Sequence, residues 1–218
     1  QWVLDADIHA CFDQINHDWL LTHIPMDKTI LSKWLKAGFV WQGQYYPTDD
    51  GTPQGGIISP TLANMTLDGI EAALAQHLDI RQWSTRTRNL NKIHLIRYAD
   101  DFVITGATKE VLEKAKVVIE AFFIFLGLTF SAEKTQIVHI EEGFDFLGWN
   151  IRKFGDKLLI RPSKLNVKTF LNKIREIIAS HKTAKQEALI ARLNPLIRGW
   201  VNYHCNQVAK QTFSKVDH

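Results

Sequence analysis

The sequence predicts an α+β fold, in which a central antiparallel sheet packs on helices and a basic helical segment follows. Two observations carry this prediction. Short β-prone runs alternate with amphipathic runs up to residue 161, without internal repeats or low-complexity stretches. Beyond residue 162 the pattern is helical and rich in lysine and arginine. The 218 residues, 45% of them hydrophobic, suffice for one large or two small domains.

The N-terminal elements alternate between sheet and helix. Residues 2–8, WVLDADI, alternate in polarity and are β-prone, which predicts a strand. Two helices follow, HDWLLTHI and residues 27–37, and Asp27 is placed to cap the second. The stretch VWQGQYYP predicts one or two strands of a hairpin.

A loop and a long helix are predicted next. The stretch DDGTPQGGIISP, residues 49–60, holds glycine and proline at a density that only a loop tolerates. Ser59 is placed to cap the following helix, and Pro60 fits its first turn. The helical pattern then continues to about Leu78.

Two strands are predicted on either side of Asp100 and Asp101. A helix follows, which Thr108 is placed to cap and which ends at Gly127. Further strands are predicted near residues 135–140, 144–152 and 157–161.

The C-terminal segment differs from the rest in charge. The pair Asn194-Pro195 predicts the start of a last helix there. Residues 1–150 hold 12 Lys/Arg and 19 Asp/Glu, whereas residues 151–218 hold 14 and 4. The net charge is therefore −7 for residues 1–150 and +10 for residues 151–218. The basic segment indicates a polyanionic partner, most simply nucleic acid. A solvated, lysine-rich helical surface would have the same composition.

The composition also bears on location. No run of eighteen apolar residues is present, so no membrane span is predicted, and the N-terminus lacks a signal-peptide pattern. Cys11 and Cys205 lie far apart and form no CxxC motif. These features predict a cytoplasmic protein with reduced thiols. Because the chain opens within a strand and without Met, we expect it to be part of a longer protein.

The stretch IRYADDFVIT places Asp100 and Asp101 where two apolar strands meet. Two unit charges about 4 Å apart repel by roughly 4 kcal/mol at an effective dielectric of 20, and a divalent cation reverses that sign. If the strand that carries Asp7 lies beside this hairpin, three carboxylates would hold two divalent ions, as in nucleases and polymerases. A solvent-exposed acidic turn is the alternative for this stretch alone.

Six motifs occur in an order that resembles the bacterial group II intron reverse transcriptase/maturases. They are DIHACFD, GTPQGGIISPTLANMTLD, LIRYADDFVIT, GLTFSAEKT, FDFLGWNIR and LNPLIRGWVNYH. The resemblance covers essentially the whole chain. It implies a polymerase palm over residues 1–161 and the N-terminal part of a maturase-specific, thumb-like domain over residues 162–218. The implied activity is RNA-directed DNA polymerisation.

The resemblance also implies a two-metal site. Asp7, Asp100 and Asp101 would be its catalytic carboxylates and would hold two Mg²⁺ ions, for which Mn²⁺ can substitute. The Ile8 carbonyl would complete the shell. Lys134 would act near the pyrophosphate leaving group, as a proton donor or by offsetting charge. A surface lysine is the alternative there, and Asp5 and Asp13 are expected to have structural roles.

Further residues would contact substrates. A bulky ring at Phe12 would clash with a ribose 2′-hydroxyl and so select dNTPs over rNTPs. Gln54 would contact the incoming nucleotide or its template base, and Gly55 would leave room for the nucleotide. Tyr98 would pack near the primer terminus. A primer-gripping hairpin would use Phe146, Leu147, Gly148 and Trp149.

The implied partners are an RNA template, a DNA primer, dNTPs and intron RNA, held through backbone and shape by the basic helices. In this family a fingers segment would precede Gln1 and the thumb would continue past His218, so we expect this chain alone to be poorly active. Two alternatives stay open: a CRISPR-associated or other defence-related reverse transcriptase, and an RNA-binding splicing maturase that does not polymerise. Phe12 and Gln54 disfavour a metal-dependent nuclease.

Overall fold

The computed structural model describes residues 1–48, 50–52, 56–78 and 91–217, and it divides the chain into two compact units, Gln1–Val138 and His139–His218. Most elements of the first unit lie before residue 100: β1 (Trp2–Ala6), α1 (Cys11–Gln14), α2 (His17–His23), α3 (Lys28–Leu35), β2 (Phe39–Trp41), β3 (Gln44–Tyr46), α4 (Ser59–Leu67), α5 (Gly69–His77) and β4 (His94–Tyr98). The remainder are β5 (Asp101–Gly106), α6 (Lys109–Leu126) and β6 (Gln136–His139), whose last residue lies in the second unit.

A four-stranded sheet in the order β4-β5-β1-β6 forms the centre of the first unit, and both β1 and β4 pair with β5 in antiparallel fashion. Side chains alternate between the two faces of a strand, so one face of β1 and β5 is apolar throughout. On that face Leu4 pairs with Ile104 and Ala6 pairs with Phe102, and all four residues are buried. Helix α6 packs on β1 and β5. The predicted sheet with helices on one face is therefore confirmed.

Several predicted helix boundaries are confirmed, and one is wrong. The Asp27 side chain accepts a hydrogen bond from the Ile30 N–H at 2.9 Å, and Thr108 caps α6 in the same way. Gly127 ends α6 with φ at 74°. Ser59, however, is the first residue of α4 rather than its cap, and no side-chain hydrogen bond caps this helix.

The helix predicted from Ser59 to about Leu78 is two helices, α4 and α5. They meet at Asp68, which ends the first and precedes the second. Both halves bury an apolar stripe in the core, and the apolar pattern of the sequence therefore continues across the junction. No helix in the described part of the chain is long and apolar enough to cross a membrane.

The second unit combines a three-stranded sheet with helices. Its further elements are β7 (Phe144–Phe146), β8 (Trp149–Phe154), β9 (Lys157–Pro162), α7 (Lys164–Ser180), α8 (Gln186–His204) and α9 (Lys210–Val216). The three strands form an antiparallel meander. The single strand predicted over residues 144–152 is instead two strands joined by a two-residue turn.

The helix predicted to start at Asn194-Pro195 is also wrong. Helix α8 begins at Gln186 and runs through Pro195, which lies inside it. Proline removes one backbone hydrogen bond from a helix interior, so the sequence signal favoured a boundary. The packing of Phe170 against Trp200, with ring centroids 4.3 Å apart, anchors the C-terminal half of α8 on α7.

Candidate catalytic carboxylate site

The register of the central sheet brings two of the predicted carboxylates together. The last pair between β1 and β5 is Ala6 with Phe102. Asp7 follows β1 directly after this pair, and β5 begins at Asp101, directly before Phe102. Tyr98 pairs with Asp101 on the other side, across the β4–β5 hairpin. By strand alternation these three side chains occupy the face opposite the buried core.

Asp100 lies in the turn of the hairpin, next to a residue with an unusual backbone. The turn residues between β4 and β5 are Ala99 and Asp100, and Ala99 has φ at 55°. A non-glycine residue in this region costs of order 1 kcal/mol or more, and such residues cluster at functional sites. Ala10, which follows the Asp7 segment, has φ at 43°. Left-handed alanines therefore lie close to both carboxylate segments.

Arg97 braces this turn, a role that the motif analysis missed. Its guanidinium donates to the Ala99 carbonyl at 3.0 Å and to Asn64 Oδ1 at 2.8 Å, and it forms an ion pair with Asp68. Arg97 thus ties the Asp100 turn to the helices α4 and α5. The available signal was an arginine at a core-facing position of an apolar strand, opposite Phe102.

The carboxylates act on one another electrostatically. Partial desolvation, followed by the negative charges of Asp100 and Asp7, raises the pKa of Asp101, and the charge of Lys134 partly opposes this. Burial, followed by the charge of Asp100, raises the pKa of the Cys11 thiol to about 12. The site is therefore a concentration of negative charge beside a buried, protonated thiol.

Lys134 contacts the site directly. Its Nζ lies 3.1 Å from Asp7 Oδ2, in an ion pair whose lysine side chain is largely exposed. The Asp7 carbonyl accepts hydrogen bonds from the Ser131 N–H at 2.8 Å and from Thr135 Oγ1 at 3.3 Å. The turn that carries Lys134 is therefore fastened to the backbone of Asp7, so the ammonium group stays close to the carboxylate.

Ile8 presents its backbone toward the hairpin side. It forms an isolated antiparallel bridge with Phe130. The flanking hydrogen bonds are made by its neighbours: the His9 N–H donates to the Thr129 carbonyl at 2.9 Å, and the Asp7 carbonyl accepts from the Ser131 N–H at 2.8 Å. In such a pair the central residue's own N–H and C=O point to the opposite side. The Ile8 side chain is buried in the core.

The donor set suits a hard divalent cation, although the groups do not converge on one point. Carboxylate oxygens and a backbone carbonyl are the ligands that Mg²⁺ takes, and a cation would offset the charges of Asp100 and Asp7, which add to desolvation in raising the pKa of Asp101. Within the described ranges, however, no three His, Cys, Asp or Glu side chains lie close enough to hold a metal ion. The Asp7 carboxylate is engaged by Lys134 instead.

Phe12 lies next to the entrance of the glycine-rich loop. It is a partly buried residue of α1 that packs against the core. Its carbonyl accepts a hydrogen bond from the Thr52 N–H at 2.5 Å. The buried His17 contacts the Gly51 carbonyl through Nε2 at 2.6 Å. These contacts fix where the loop begins relative to Phe12.

Of the other residues of this unit that are predicted to contact nucleotide or primer, the structure describes Tyr98 only. Tyr98 is exposed on the carboxylate face, with 67% of its surface accessible. Gln54 and Gly55 lie outside the described residues, so their contacts stay predictions. Asp5 lies within β1 and accepts a long hydrogen bond from Gln136 Nε2 at 3.4 Å.

The FLGW segment of the second unit is a tight hairpin. Phe146 pairs with Trp149, and the turn residues Leu147 and Gly148 have φ at 49° and 81°. Two successive left-handed residues are typical of a type I′ turn, in which glycine is favoured. The Leu147 carbonyl accepts a hydrogen bond from the Tyr203 hydroxyl at 2.8 Å, which fastens the turn to α8.

Asn166 connects this turn to both long helices. Its Oδ1 accepts hydrogen bonds from Trp200 Nε1 at 2.7 Å and from His204 Nε2 at 3.0 Å, while a Cβ on Gly148 would lie 2.7 Å from its Nδ2. The rings of Trp149 and His204 pack edge to face, 4.3 Å apart. Burial lowers the pKa of His204, which therefore stays neutral. The FLGW and LNPLIRGWVNYH motifs thus form one packed cluster.

The chain is similar in sequence to several known proteins. The chain is 28% identical to the group II intron-encoded protein LtrA of Lactococcus lactis subsp. cremoris, over 86% of this chain and 42% of that protein. It is 31% identical to protein YkfC of Escherichia coli (strain K12), over 68% of this chain and 46% of that protein. The chain therefore spans less than half the length of these relatives.

The fold is shared with a solved structure of apo telomerase from Candida Tropicalis. The TM-score is 0.58 at 14% identity, over 89% of this chain and 35% of that one. Residues 167–218 match the group II intron, maturase-specific domain. This match and the LtrA similarity confirm the resemblance to intron-encoded reverse transcriptase/maturases. Because residues 1–151 match the family described as reverse transcriptase (RNA-dependent DNA polymerase), this chain belongs to the reverse transcriptase family.

Proposed function

We propose that this chain forms the catalytic palm and the start of the thumb of an RNA-directed DNA polymerase of the group II intron type. The reaction is attack of a primer 3′-hydroxyl on the α-phosphate of a dNTP, with release of pyrophosphate. One observation supports the proposal: β1, which ends one residue before Asp7, pairs with β5, which begins at Asp101 directly after the turn that contains Asp100. The palm extends over residues 1–161 and the thumb-like segment over residues 162–218.

Asp7, Asp100 and Asp101 would hold two Mg²⁺ ions, or Mn²⁺ in their place, with help from the Ile8 carbonyl. Two such ions, when bound, activate the attacking hydroxyl and stabilise the leaving oxygens. The proposal is supported by the negative charge that Asp100 and Asp7 place around Asp101. Lys134, 3.1 Å from Asp7, offsets part of this charge and can serve the pyrophosphate leaving group.

Further residues contact the substrates. Phe12 excludes the ribose 2′-hydroxyl, Gln54 and Gly55 contact the incoming nucleotide, and Tyr98 packs near the primer terminus. The position of Phe12 beside the loop at Thr52 supports this assignment. The rigid turn formed by Phe146, Leu147, Gly148 and Trp149 holds the primer, supported by its fixed contacts with α7 and α8.

The partners are an RNA template, a DNA primer, dNTPs and the intron RNA, for which the chain also serves as a splicing maturase. The second unit carries 14 Lys/Arg against seven Asp/Glu, which suits an RNA backbone. A cytoplasmic location completes the proposal, and the unpaired thiols of Cys11 and Cys205 are consistent with it.

Asp100→Asn tests the site. In the full-length gene product this variant should lose extension of a DNA primer on poly(rA) with Mg²⁺ by about a thousandfold or more, because a charged ligand becomes a neutral amide. RNA affinity should be unchanged, since the substitution leaves the basic second unit intact. Asp13→Asn is the matched control and should extend normally. Normal extension by Asp100→Asn would exclude the proposed site.

A further inference from the structure

A cavity of about 470 Å³ lies within the second unit, where the β8–β9 hairpin faces α9 and the residues before it. Four cationic side chains line it: Arg152, Arg161, Lys164 and Lys215. Two carboxylates, Glu142 and Asp145, also line it. The lining is therefore positively charged overall, and it contains none of the residues assigned to the polymerase reaction.

The two arginines are held in place by the hairpin. Asn150 pairs with Arg161 across β8 and β9, and Arg152 lies two residues further along β8, so all three share one face. The guanidinium carbons of Arg152 and Arg161 lie 4.7 and 5.5 Å from the ring centre of Phe154. Arg152 Nε also donates to the Glu141 carbonyl at 2.7 Å. These contacts orient both guanidinium groups before any ligand binds.

The charges of the cavity are not neutralised from within. In the portion of the chain that the structure describes, none of the four cations has a carboxylate oxygen within 4.0 Å. Asp145 instead accepts a hydrogen bond from Asn150 Nδ2 at 2.6 Å. The buried Nε of Arg161 has no hydrogen-bond partner, an arrangement that is costly in a folded protein. An anion in the cavity would offset the positive charge that the lining leaves unneutralised.

The chemistry of the lining selects among anions. Two guanidinium groups match the oxygens of a phosphate, to which arginine binds through paired hydrogen bonds. The volume suits a nucleotide-sized group rather than a small ion. Phe154 is not itself a lining residue; its ring lies under both guanidinium groups and holds them at the cavity wall. A phosphate group of a nucleotide strand satisfies both features.

We propose that this cavity binds a backbone phosphate of an RNA strand. That the strand is RNA rests on the proposed function, whereas the phosphate chemistry rests on the cavity alone. The site anchors an RNA strand on the second unit through Arg152, Arg161, Lys164 and Lys215.

The test measures the affinity of a fluorescein-labelled single-stranded RNA over a series of salt concentrations. The double variant Lys164→Gln/Lys215→Gln alters only exposed side chains and should fold normally. Its plot of log Kd against log salt should flatten by roughly 0.7 for each phosphate that the variant no longer neutralises, with weaker binding at low salt. Arg161→Lys keeps the charge but loses the planar fork, so it should weaken binding without changing the slope.

Lys114→Gln is the matched control. Lys114 is an exposed cation of α6 in the first unit, so this variant removes one charge without touching the cavity. An unchanged slope for it, with a flatter slope for the double variant, supports the site. Equal flattening per charge removed in both proteins would overturn it, since only the overall charge would then matter. Displacement of the RNA by inorganic phosphate at equal concentration would also overturn it, because the site would then be one for a free anion.

Primer extension separates this inference from the proposed function. The double variant should flatten the salt slope, and Asp100→Asn should lose extension while it keeps the wild-type salt slope. If extension depends on Asp100 while the double variant keeps the full slope, the cavity proposal fails alone. If no extension occurs in any variant while the double variant flattens the slope, the polymerase proposal fails and the cavity proposal stands. Binding of the matching DNA strand as tightly as RNA would overturn the assignment to RNA.

Discussion

Arg97 shows how one side chain controls the geometry of the carboxylate turn. It holds the Ala99 carbonyl, and Ala99 has its strained φ of 55° one residue before Asp100. The same guanidinium bonds to Asn64 and pairs with Asp68, and its side chain is only 16% exposed. The position of Asp100 therefore depends on a fork-shaped donor that joins three acceptors.

Replacing Arg97 should damage catalysis more than folding. Arg97→Lys keeps the charge and the ion pair with Asp68 but loses the planar guanidinium that donates to several acceptors at once. We therefore expect primer extension to fall by about tenfold or more. The unfolding free energy should change by only about 1 kcal/mol. Single-turnover extension and urea unfolding measure the two effects. Asp68→Asn, which leaves the bonds to Ala99 and Asn64 in place, should be milder. Wild-type extension by Arg97→Lys would show that the turn needs no brace.

The thiols give a prediction that does not depend on enzymatic activity. Because the pKa of Cys11 is raised from 9.0 to about 12, its thiolate fraction at mildly alkaline pH is about a thousandfold below that of an ordinary thiol. Cys205 is exposed. Iodoacetamide should therefore modify Cys205 alone in the native chain and both thiols in urea, as peptide mass spectrometry will show. Rapid native labelling of Cys11 would contradict the burial of this thiol.

The same pKa shift fixes the sign of a pH effect on stability. Folding favours the protonated thiol of Cys11, so its contribution is fully present below pH 9.0 and is lost as the pH rises toward about 12. Cys11→Ser, whose hydroxyl does not titrate in this range, should lose less stability across the same interval. Urea unfolding at several pH values measures the difference.

The sequence predicts the carboxylates better than the groups that position them. Asp7, Asp100 and Asp101 are visible because acidic residues interrupt apolar strands. The acceptors of Arg97 lie 29 and 33 residues away, on helices whose packing no local pattern specifies. Long-range polar contacts of this kind depend on tertiary structure, so the sequence alone could not reveal them.

The helices α7 and α8 of the second unit support the β7–β8 hairpin. The Leu147-Gly148 turn is fixed by α7 through Asn166 and by α8 through Tyr203. The sequence predicts one strand over residues 144–152 because its alternation continues through the turn, and Leu-Gly is not a favoured turn dipeptide. The start of α8 is predicted wrongly because Pro195 is a local helix-breaking signal, which tertiary packing overrides there.

Asn166 should be the residue on which this support depends. Asn166→Leu removes the acceptor of Trp200 Nε1 and His204 Nε2, and each unsatisfied buried donor costs about 1–3 kcal/mol. We therefore expect the unfolding free energy to fall by about 2–4 kcal/mol in urea titrations. Asn172→Leu, at an exposed position of α7, is the control and should change it by less than about 0.5 kcal/mol. Similar losses for both variants would show that Asn166 has no special role.

The distribution of charge distinguishes the two units of the molecule. Residues 1–138 hold 12 Lys/Arg and 16 Asp/Glu, whereas residues 139–218 hold 14 and seven. The sequence predicts this asymmetry directly, because charge is counted without knowledge of the fold. It could not predict which cations would share a cavity, since Arg152 and Lys215 are brought together only by the packing of the second unit.

The second unit should therefore carry most of the salt dependence of RNA binding. Lys168→Gln/Lys173→Gln removes two exposed cations of α7, outside the cavity, and should flatten the dependence of log Kd on log salt by up to roughly 1.4 if both contact single-stranded RNA. The matched double variant of the first unit, Lys33→Gln/Lys114→Gln, removes the same charge from α3 and α6 and should leave the slope unchanged. Fluorescence anisotropy with one labelled RNA measures both. Equal flattening in the two variants would mean that RNA responds to net charge alone, and the basic unit would then be an ordinary solvated surface rather than an RNA-binding one.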